Sequence, residues 1–300
     1  MSDYFWDSQI EYLRKTRDLY YNDDYLAFLV QMVWKMTSPV RVVDFGCGYG
    51  LLAAKLMPLL PEGSSYTGID AGVKLIEHAS ELFKDAPFEA EFIVGDLTAM
   101  DIAGTYDLAV CHAFLLHMED PRTMLRKMRD CLEDGGRIAC FEPHWIANMA
   151  NYHFDGHSLS EVVQLGVLQK LFEQDAARGG RDGNIGLKLP VYMSELGARD
   201  IDCRVSDKVN FLNPAEEAVR TEALFNALKE EGIGGDPGDA DAYLANLTSR
   251  GLTEEEAMRA YGAERLLSER FDRERALVYA PNMKITTGVI RRSDEALAAQ

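Results

Sequence analysis

A short apolar run that leads into three closely spaced glycines limits the fold of this chain more than any other segment. Residues 40–45 read VRVVDF, and Gly46, Gly48 and Gly50 follow at alternate positions. Glycine adopts backbone conformations that other residues avoid, and it lets a ligand approach the main chain closely. A strand followed by such a turn and then by a helix is typical of open α/β sheets, whose ligands lie at the carboxyl ends of the strands.

The alternation of strand and helix patterns continues from residue 40 to residue 142. Runs rich in β-branched residues predict five strands, at 40–45, 65–70, 90–94, 106–112 and 137–142. Helical spacing predicts helices at 51–60, at 72–84 and from Asp120-Pro121 to Gly135-Gly136. Later patterns predict a further helix and two further strands, at 189–196, 201–211 and 284–291. This order predicts an α/β fold with a mostly parallel sheet covered by helices on both faces.

The segments outside that alternation predict three additions to a central domain. Residues 1–37 carry helical patterns with many aromatic side chains and are predicted to form an N-terminal lid. The central domain is predicted to occupy 38–212 and 280–292, with a substrate-side insertion at 143–185. Residues 213–279 are predicted to form a helical cap or a dimerisation insert, which leaves a homodimer open as an alternative.

Charge and cysteine content exclude several classes of function. The chain has 31 Lys and Arg against 49 Asp and Glu, a net charge of −18. Such a surface repels phosphate backbones, so nucleic acid is not expected as a partner. Five cysteines without a CxxC pair predict free thiols in a reducing compartment, the cytoplasm. The N-terminus lacks the pattern of a leader and no run of about 18 apolar residues occurs, so neither export nor a membrane span is expected.

The glycine spacing and the acids around it indicate a nucleoside ligand with a positively charged part. A dinucleotide turn would place a small residue where this chain has Leu51, which counts against a nicotinamide cofactor. Asp44 would repel a diphosphate and suits a cationic group. Asp70, at the end of the second strand, is placed to accept both hydroxyls of a ribose. After the third strand, Asp96 suits an adenine amine and Leu97 the face of the adenine ring.

The motifs at the ends of the predicted strands resemble those of class I S-adenosylmethionine-dependent methyltransferases. In chain order they read DFGCGYG, GID, GDL and LEDGGRIACFEP. The subset they resemble is the small-molecule type similar to ubiquinone and menaquinone biosynthesis methyltransferases. The resemblance covers residues 40–142 and extends to 188–199 and the two late strands. It implies a Rossmann-like sheet of seven strands, with helices on both faces and an antiparallel last strand.

The resemblance also implies S-adenosylmethionine as the cofactor and a set of contacts with it. The glycine turn would lie along the methionine part of the cofactor, Asp70 would bind its ribose and Asp96 its adenine amine. His112, at the end of the fourth strand, would lie beside its amino acid. The predicted cofactor-binding residues are Tyr21, Asp44, Gly46, Cys47, Gly48, Gly50, Asp70, Asp96, Leu97 and His112.

The histidines near the ends of the fourth and fifth strands are the candidates for acid–base chemistry. Methyl transfer from a sulfonium needs alignment and exclusion of water, and a base only for acceptors that must lose a proton. His144 is predicted to be that base and His112 to be a second catalytic candidate, because histidine titrates near neutral pH. His117 is interpreted as an orienting or capping residue. His153 and His157 have the spacing of metal ligands, but a flexible loop with exposed histidines is the favoured interpretation. The fourth strand also lacks the terminal carboxylates of a metal-dependent transfer, so no metal is expected.

Three functions are compatible with these patterns. The leading hypothesis is a methyltransferase that moves a methyl group to an O, N, S or C atom of a small-molecule acceptor, neutral or cationic. The second is a module that binds S-adenosylmethionine and serves a protein partner without turnover. The third is an aminopropyl-type transferase, which the acid-rich residues 214–279 leave open. Formation of S-adenosylhomocysteine would distinguish the first hypothesis from the second.

Overall fold

A computed structural model describes residues 4–179 and 181–292, and this part of the chain contains ten strands. In chain order they are β1 (Arg41–Phe45), β2 (Ser65–Asp70), β3 (Glu89–Val94), β4 (Tyr106–His112), β5 (Leu132–Pro143), β6 (Tyr152–Phe154), β7 (Arg199–Val205), β8 (Asn210–Leu212), β9 (Leu277–Tyr279) and β10 (Met283–Val289). Seven of them form one sheet in the order β3-β2-β1-β4-β5-β10-β7. Strands β1 to β5 pair in parallel, whereas β10 runs antiparallel to β5 and β7. The predicted Rossmann-like sheet of seven strands with an antiparallel last strand is confirmed.

Twelve α-helices accompany the strands within the described residues. They are α1 (Ile10–Thr16), α2 (Asp23–Phe28), α3 (Leu51–Leu56), α4 (Val73–Phe83), α5 (Pro121–Asp130), α6 (Trp145–Ala150), α7 (Leu159–Val162), α8 (Leu165–Ala177), α9 (Leu189–Glu195), α10 (Ala218–Glu230), α11 (Ala240–Ser249) and α12 (Glu254–Arg270). Two short 3-10 turns, Phe5–Ser8 and Leu115–His117, lie at the carboxyl edge of the sheet. Over 4–179 and 181–292, no helix has both the length and the apolar character needed to cross a bilayer.

Side-chain caps account for where several helices begin. The Asp120 carboxylate accepts hydrogen bonds from the amides of Arg122 and Thr123, at 3.0 and 3.2 Å, and Pro121 occupies the first position of α5. Thr253 and Glu256 form a reciprocal capping box at the start of α12. Because the first amides of a helix have no partner within the helix, such caps fix where it begins.

Both faces of the central sheet are buried, as expected for strands that are continuous apolar runs. Successive residues of β1 point to opposite faces, Val42 to one side and Val43 to the other. The side of Val42 packs against the N-terminal helices and α3, and its buried residues include Leu26, Leu29, Val30, Leu52 and Leu56. The opposite side packs against α5 and α9, and its buried residues include Met124, Leu125, Met128, Leu189 and Met193. The carboxyl edge of the sheet is thereby held between two packed layers.

Two of the predicted strands have different limits in the structure. The strand expected at 201–211 is divided: β7 ends at Val205, and β8 belongs to a second, antiparallel sheet in the order β6-β9-β8. The strand expected at 137–142 begins earlier, at Leu132, so Gly135-Gly136 lies within β5 and does not end the preceding helix. Gly135 has a left-handed φ of 84°, and the pairing register between β4 and β5 shifts before Leu108. The glycine pair therefore marks an irregular strand.

Candidate active site

The glycine turn between β1 and α3 has the backbone geometry that the sequence predicts. Gly46, Gly48 and Gly50 have φ angles of 72°, 56° and 90°, in the left-handed region that favours glycine. A Cβ atom at Gly50 would lie 2.6 Å from the ring of Phe83, whereas at Gly48 it would meet no atom of the described residues within 4 Å. The amides of Gly46 and Cys47 both donate to the carbonyl of Ile69, at 2.9 and 3.1 Å. The turn is therefore tied to β2, and it is open at Gly48.

Asp70, the last residue of β2, holds two backbone segments in place. One carboxylate oxygen accepts from the Gly48 amide at 2.9 Å, and the other accepts from the Gly72 amide at 2.8 Å. The first bond orders the glycine turn and the second orders the entry into α4. Burial raises the pKa of Asp70, and the amide donors oppose that effect. Each oxygen keeps a lone pair, so the carboxylate can still accept hydroxyl donors.

Asp44 lies beneath the turn with half of its carboxylate unused. The Tyr66 hydroxyl donates to Oδ2 at 2.5 Å, while Oδ1 is buried and has no hydrogen-bond partner among the described residues. Burial raises the pKa of Asp44 to about 7, the hydrogen bond from Tyr66 opposes that effect, and the negative charge of Asp70 adds to it. A positively charged group would satisfy Oδ1 and favour the ionised form.

His112, at the end of β4, also has an unused polar atom. Its Nε2 is buried and forms no hydrogen bond within 4–179 and 181–292. The ring lies edge-on to Tyr21, with centroids 5.7 Å apart. Burial and the nearby charge of Arg17 lower the pKa of His112 well below its usual value, so the ring is neutral. The predicted contact of His112 with the amino acid of the cofactor stays a prediction.

A cavity of about 80 Å³ lies among these groups. Its lining includes Asp44, Gly46, Cys47, Gly48, Asp70 and His112, which are six of the predicted cofactor-binding residues. Unused buried acceptors, a carboxylate at a strand end and a turn that is open at Gly48 fit the ammonium, sulfonium and ribose groups of S-adenosylmethionine. The volume is well below the roughly 300 Å³ of a typical ligand site. Binding of a whole nucleoside therefore requires part of the wall to move.

The N-terminal segment, residues 4–8, contributes part of the wall of this cavity. Asp7 accepts from the amides of Lys74 and Leu75, at 3.0 and 3.1 Å, and so caps the start of α4. Tyr4 and Trp6 line the 80 Å³ cavity. Burial raises the pKa of the Tyr4 hydroxyl to about 12, and the charges of Asp70, Asp7 and Asp96 act in the same direction. Tyr4 thus lies among the carboxylates of the predicted nucleoside site.

Four predicted cofactor residues do not line this cavity. One is Gly50, which lies in the turn against the ring of Phe83, and the other three are Tyr21, Asp96 and Leu97. Asp96 is exposed and accepts from the amide and hydroxyl of Thr98, at 2.8 and 2.7 Å. Leu97 is buried in the core on the α5 side of the sheet. Tyr21 is buried against Phe141, and its hydroxyl has no partner in the described part of the chain. Tyr21, Asp96 and Leu97 are not among the described residues that line the cavity.

A second cavity, of about 500 Å³, lies next to the first. Residues of the N-terminal helices, of 143–185 and of 213–279 all contribute to its lining. Trp145, Tyr152 and Phe172 provide aromatic surface, and Glu231 and Glu264 provide carboxylates. This volume falls within the range of small-molecule sites.

The two cavities have four lining residues in common, Trp6, Arg17, Ala113 and His117, which we call the shared wall. Burial and the charges of Arg181 and Arg17 lower the pKa of His117 to about 4, so this imidazole is neutral at physiological pH. The Trp6 ring packs edge-on against it at 5.3 Å. His117 was interpreted from the sequence as an orienting or capping residue, and Arg17 was not singled out. Only the fold brings them to the junction.

Glu142, near the end of β5, fixes the turn that carries His117. Its carboxylate accepts from the amides of Phe114, Leu115 and Leu116, at 2.9, 2.7 and 3.3 Å. The residue is fully buried, and burial raises its pKa to about 7 while the amides oppose that effect. The sequence analysis missed this role. The sequence carried one signal for it, an acidic residue in the FEP segment at a strand position expected to be buried.

His144, the predicted base, lies at the start of α6. Its amide donates to the carbonyl of Asn282 at 3.0 Å, and its Nδ1 is buried without a partner in the described ranges. The structure does not bring His144 into the described lining of either cavity. Within 4–179 and 181–292, no three His, Cys, Asp or Glu side chains are grouped to hold a metal ion, and this covers His153 and His157.

Comparison with known proteins agrees with this geometry. Residues 43–138 match a family model described as a methyltransferase domain. The sheet order and this match make the chain similar to one class of protein, those with a Rossmann-like methyltransferase domain. Within that class, 100 residues are 31% identical to the ubiquinone biosynthesis O-methyltransferase of Vibrio parahaemolyticus, which is 33% of this chain and 41% of that protein. The chain therefore spans less than half the length of this curated relative.

Two further methyltransferases are similar to this chain. An uncharacterized methyltransferase of Mycobacterium tuberculosis is 32% identical over 99 residues, which cover 33% of this chain and 48% of that protein. The structure of an S-adenosylmethionine-dependent methyltransferase from Geobacter sulfurreducens, in complex with S-adenosylhomocysteine, covers 97% of this chain and 100% of that chain. Its TM-score is 0.51 at 17% identity, so it supports the fold alone. The predicted resemblance to class I S-adenosylmethionine-dependent methyltransferases similar to the ubiquinone enzymes is confirmed.

Proposed function

We propose that the protein is an S-adenosylmethionine-dependent methyltransferase that acts on a small molecule. The observation that carries this proposal is the pair of cavities on either side of the shared wall. One contains the acidic groups and the glycine turn suited to a cationic nucleoside, and the other has the volume of an organic acceptor. Because methyl transfer is an in-line displacement, donor and acceptor must meet at such a junction with water excluded.

The residues of the smaller cavity would bind the donor. S-adenosylmethionine supplies a methyl group on a sulfonium and leaves as S-adenosylhomocysteine. Asp44 would accept from its ammonium group through the free Oδ1, and Asp70 would accept from its ribose hydroxyls. Displacement of Tyr4 would open the space between Asp70 and Asp96, where we place the adenine, with Leu97 beneath it. The segment 4–8 acts in this proposal as the mobile part of the N-terminal lid.

Calorimetric titration tests the proposal directly. Micromolar binding of S-adenosylmethionine and S-adenosylhomocysteine, without binding of NADH, is expected. Turnover is then measured as S-adenosylhomocysteine released in the presence of a panel of small acceptors. Binding without release by any acceptor would favour the module without turnover, and release of 5′-methylthioadenosine from the decarboxylated donor would favour aminopropyl transfer. Absence of binding to both sulfur nucleosides would contradict the proposal.

We expect His117→Ala to lower kcat by about tenfold, the effect of losing one hydrogen bond to the attacking group in the transition state. His117 is neutral and lies in the shared wall, so it can accept a hydrogen bond from a hydroxyl acceptor. Because its pKa is about 4, the wild-type kcat should not fall with pH until well below the usual histidine value of 6.5. The measurement is the rate of S-adenosylhomocysteine release between pH 5 and pH 8.

His144→Ala is the comparison that separates the two histidines. The sequence alone predicts the side chain of His144 as the base, whereas the geometry favours His117. Two results together would reject His117 in favour of His144. One is a loss of kcat in His144→Ala that equals or exceeds the loss in His117→Ala, and the other is a wild-type kcat that falls near pH 6.5. Cofactor affinity should be unchanged in His144→Ala, because His144 lies outside the described lining of both cavities, and calorimetry with S-adenosylhomocysteine checks this.

A further inference from the structure

The residue Glu231 lines the 500 Å³ cavity, and one of its carboxylate oxygens is unused. Its Oε1 accepts the hydroxyl of Tyr20, and its Oε2 is buried with no hydrogen-bond partner among the residues that the structure describes. Burial raises the pKa of this carboxyl group, and the hydrogen bond of Tyr20, the charge of Arg17 and the hydroxyl of Tyr12 oppose that effect. A buried acceptor without a partner is costly, so the position favours a ligand group that donates a hydrogen bond.

The position of Glu231 on its helix strengthens this preference. It is the residue at the C-terminal cap of α10, where the helix dipole places partial negative charge. The neighbouring Gly232 has a φ of 101°, and a Cβ atom there would meet no described atom within 4 Å. Residues 232–235 line the same cavity, so the chain can lie close to a ligand beside the carboxylate. An anionic ligand group would be repelled at this position.

The rest of the cavity suits the body of a ring-bearing molecule. Trp145 and Phe172 pack edge-to-face with centroids 5.4 Å apart, and Trp6, Tyr152 and Tyr279 add further aromatic surface. Flat apolar groups pack well on such walls. Trp6 also belongs to the shared wall, so a ring that extends from Glu231 along these side chains can reach the junction with the donor site.

From these contacts we infer that the acceptor is a ring-bearing small molecule with a hydroxyl or protonated amino group, which donates a hydrogen bond to Oε2 of Glu231. This inference rests on the proposed function and adds a recognition residue to it. Glu231 selects the acceptor by its polar group, and the aromatic side chains hold its ring. Carboxylate and phosphate groups are excluded at this position, because they have no proton to donate and carry the charge of Glu231 itself.

Four naphthalene probes of similar shape test the inference on the wild-type protein saturated with S-adenosylhomocysteine. They are 2-(2-naphthyl)ethanol, 2-(2-naphthyl)ethylamine, 2-naphthylacetate and 2-ethylnaphthalene. Their dissociation constants are measured by ligand-observed NMR. The alcohol or the amine should bind at least about tenfold more tightly than the acetate and the hydrocarbon, as one charge-assisted hydrogen bond implies. Preference for the alcohol or for the amine identifies which donor the site takes.

The variant Glu231→Gln should bind the preferred probe more weakly by a similar factor, so that the preference disappears. The amine should lose more affinity than the alcohol, because its positive charge is no longer matched by a carboxylate. Glu230→Gln is the matched control, since Glu230 precedes it in the chain, is exposed and pairs with Lys15 at the surface. Equal binding of all four probes by the wild-type protein would overturn the inference even if Glu231→Gln fails to fold. Failure of S-adenosylhomocysteine itself to bind would instead contradict the proposed function.

Discussion

Asp70→Ala is expected to lower the affinity for S-adenosylhomocysteine by about 100-fold or more. The substitution removes the acceptor for the amides of Gly48 and Gly72, and with it the proposed acceptor for the ribose hydroxyls. Each hydrogen bond to a charged group contributes about 1.5 to 3 kcal/mol, so the loss of two already accounts for a factor of 100. Calorimetric titration with S-adenosylhomocysteine measures the change.

The control for this variant is Asp101→Ala, which removes an exposed carboxylate of the same chain. It should bind S-adenosylhomocysteine as the wild-type protein does. The melting temperatures of both variants are measured in parallel, because a disordered glycine turn would also lower stability. A folded Asp70→Ala variant that binds within a factor of three of the wild-type protein would remove Asp70 from the donor site.

Glu142→Ala should destabilise the protein by about 3 to 5 kcal/mol. The substitution leaves the buried amides of Phe114, Leu115 and Leu116 without their acceptor, and each unpaired buried donor costs about 1 to 3 kcal/mol. For a chain of this size, we expect the melting temperature to fall by about 10 °C. Differential scanning calorimetry measures the fall.

The variant Glu142→Gln distinguishes the effect of losing the hydrogen bonds from the effect of removing the buried side chain. The amide oxygen can still accept from two of the three donors, so its melting temperature should lie between those of the wild type and the alanine variant. Glu119→Ala, an exposed substitution close to the same turn, should change the melting temperature little. Equal melting temperatures for Glu142→Ala and Glu119→Ala would show that Glu142 does not hold the turn.

The central sheet could be predicted from the sequence because its strands are buried on both faces. The predicted limits of β1, β2, β3 and β4 differ from the structure by one residue at most. The second sheet could not be predicted, since its strands have three residues each and come from three distant segments. A three-residue strand carries too little pattern to be recognised before its partners are known. The division of the strand expected at 201–211 has the same cause.

The candidate site shows the same contrast between local and distant contributions. The glycine turn and Asp70 follow directly after strands, so their place at the carboxyl edge follows from the sheet topology. Arg17, His117 and Glu231 come from separate parts of the chain, and their convergence depends on how the N-terminal helices and residues 213–279 pack. The role of Asp96 stays a prediction, since this exposed strand-end acid accepts from Thr98 and does not line the described 80 Å³ cavity.

The place of Trp6 between the two cavities has a kinetic consequence for the proposed reaction. The segment that carries Trp6 closes the donor site through the contacts of Asp7 with the start of α4, and it also supplies part of the acceptor cavity. In the proposed reaction, the acceptor cavity would lack Trp6 while this segment is displaced to admit the donor, and it would be complete again once the segment has returned. We therefore expect sequential addition in a fixed order, donor first, with the methylated product leaving before S-adenosylhomocysteine.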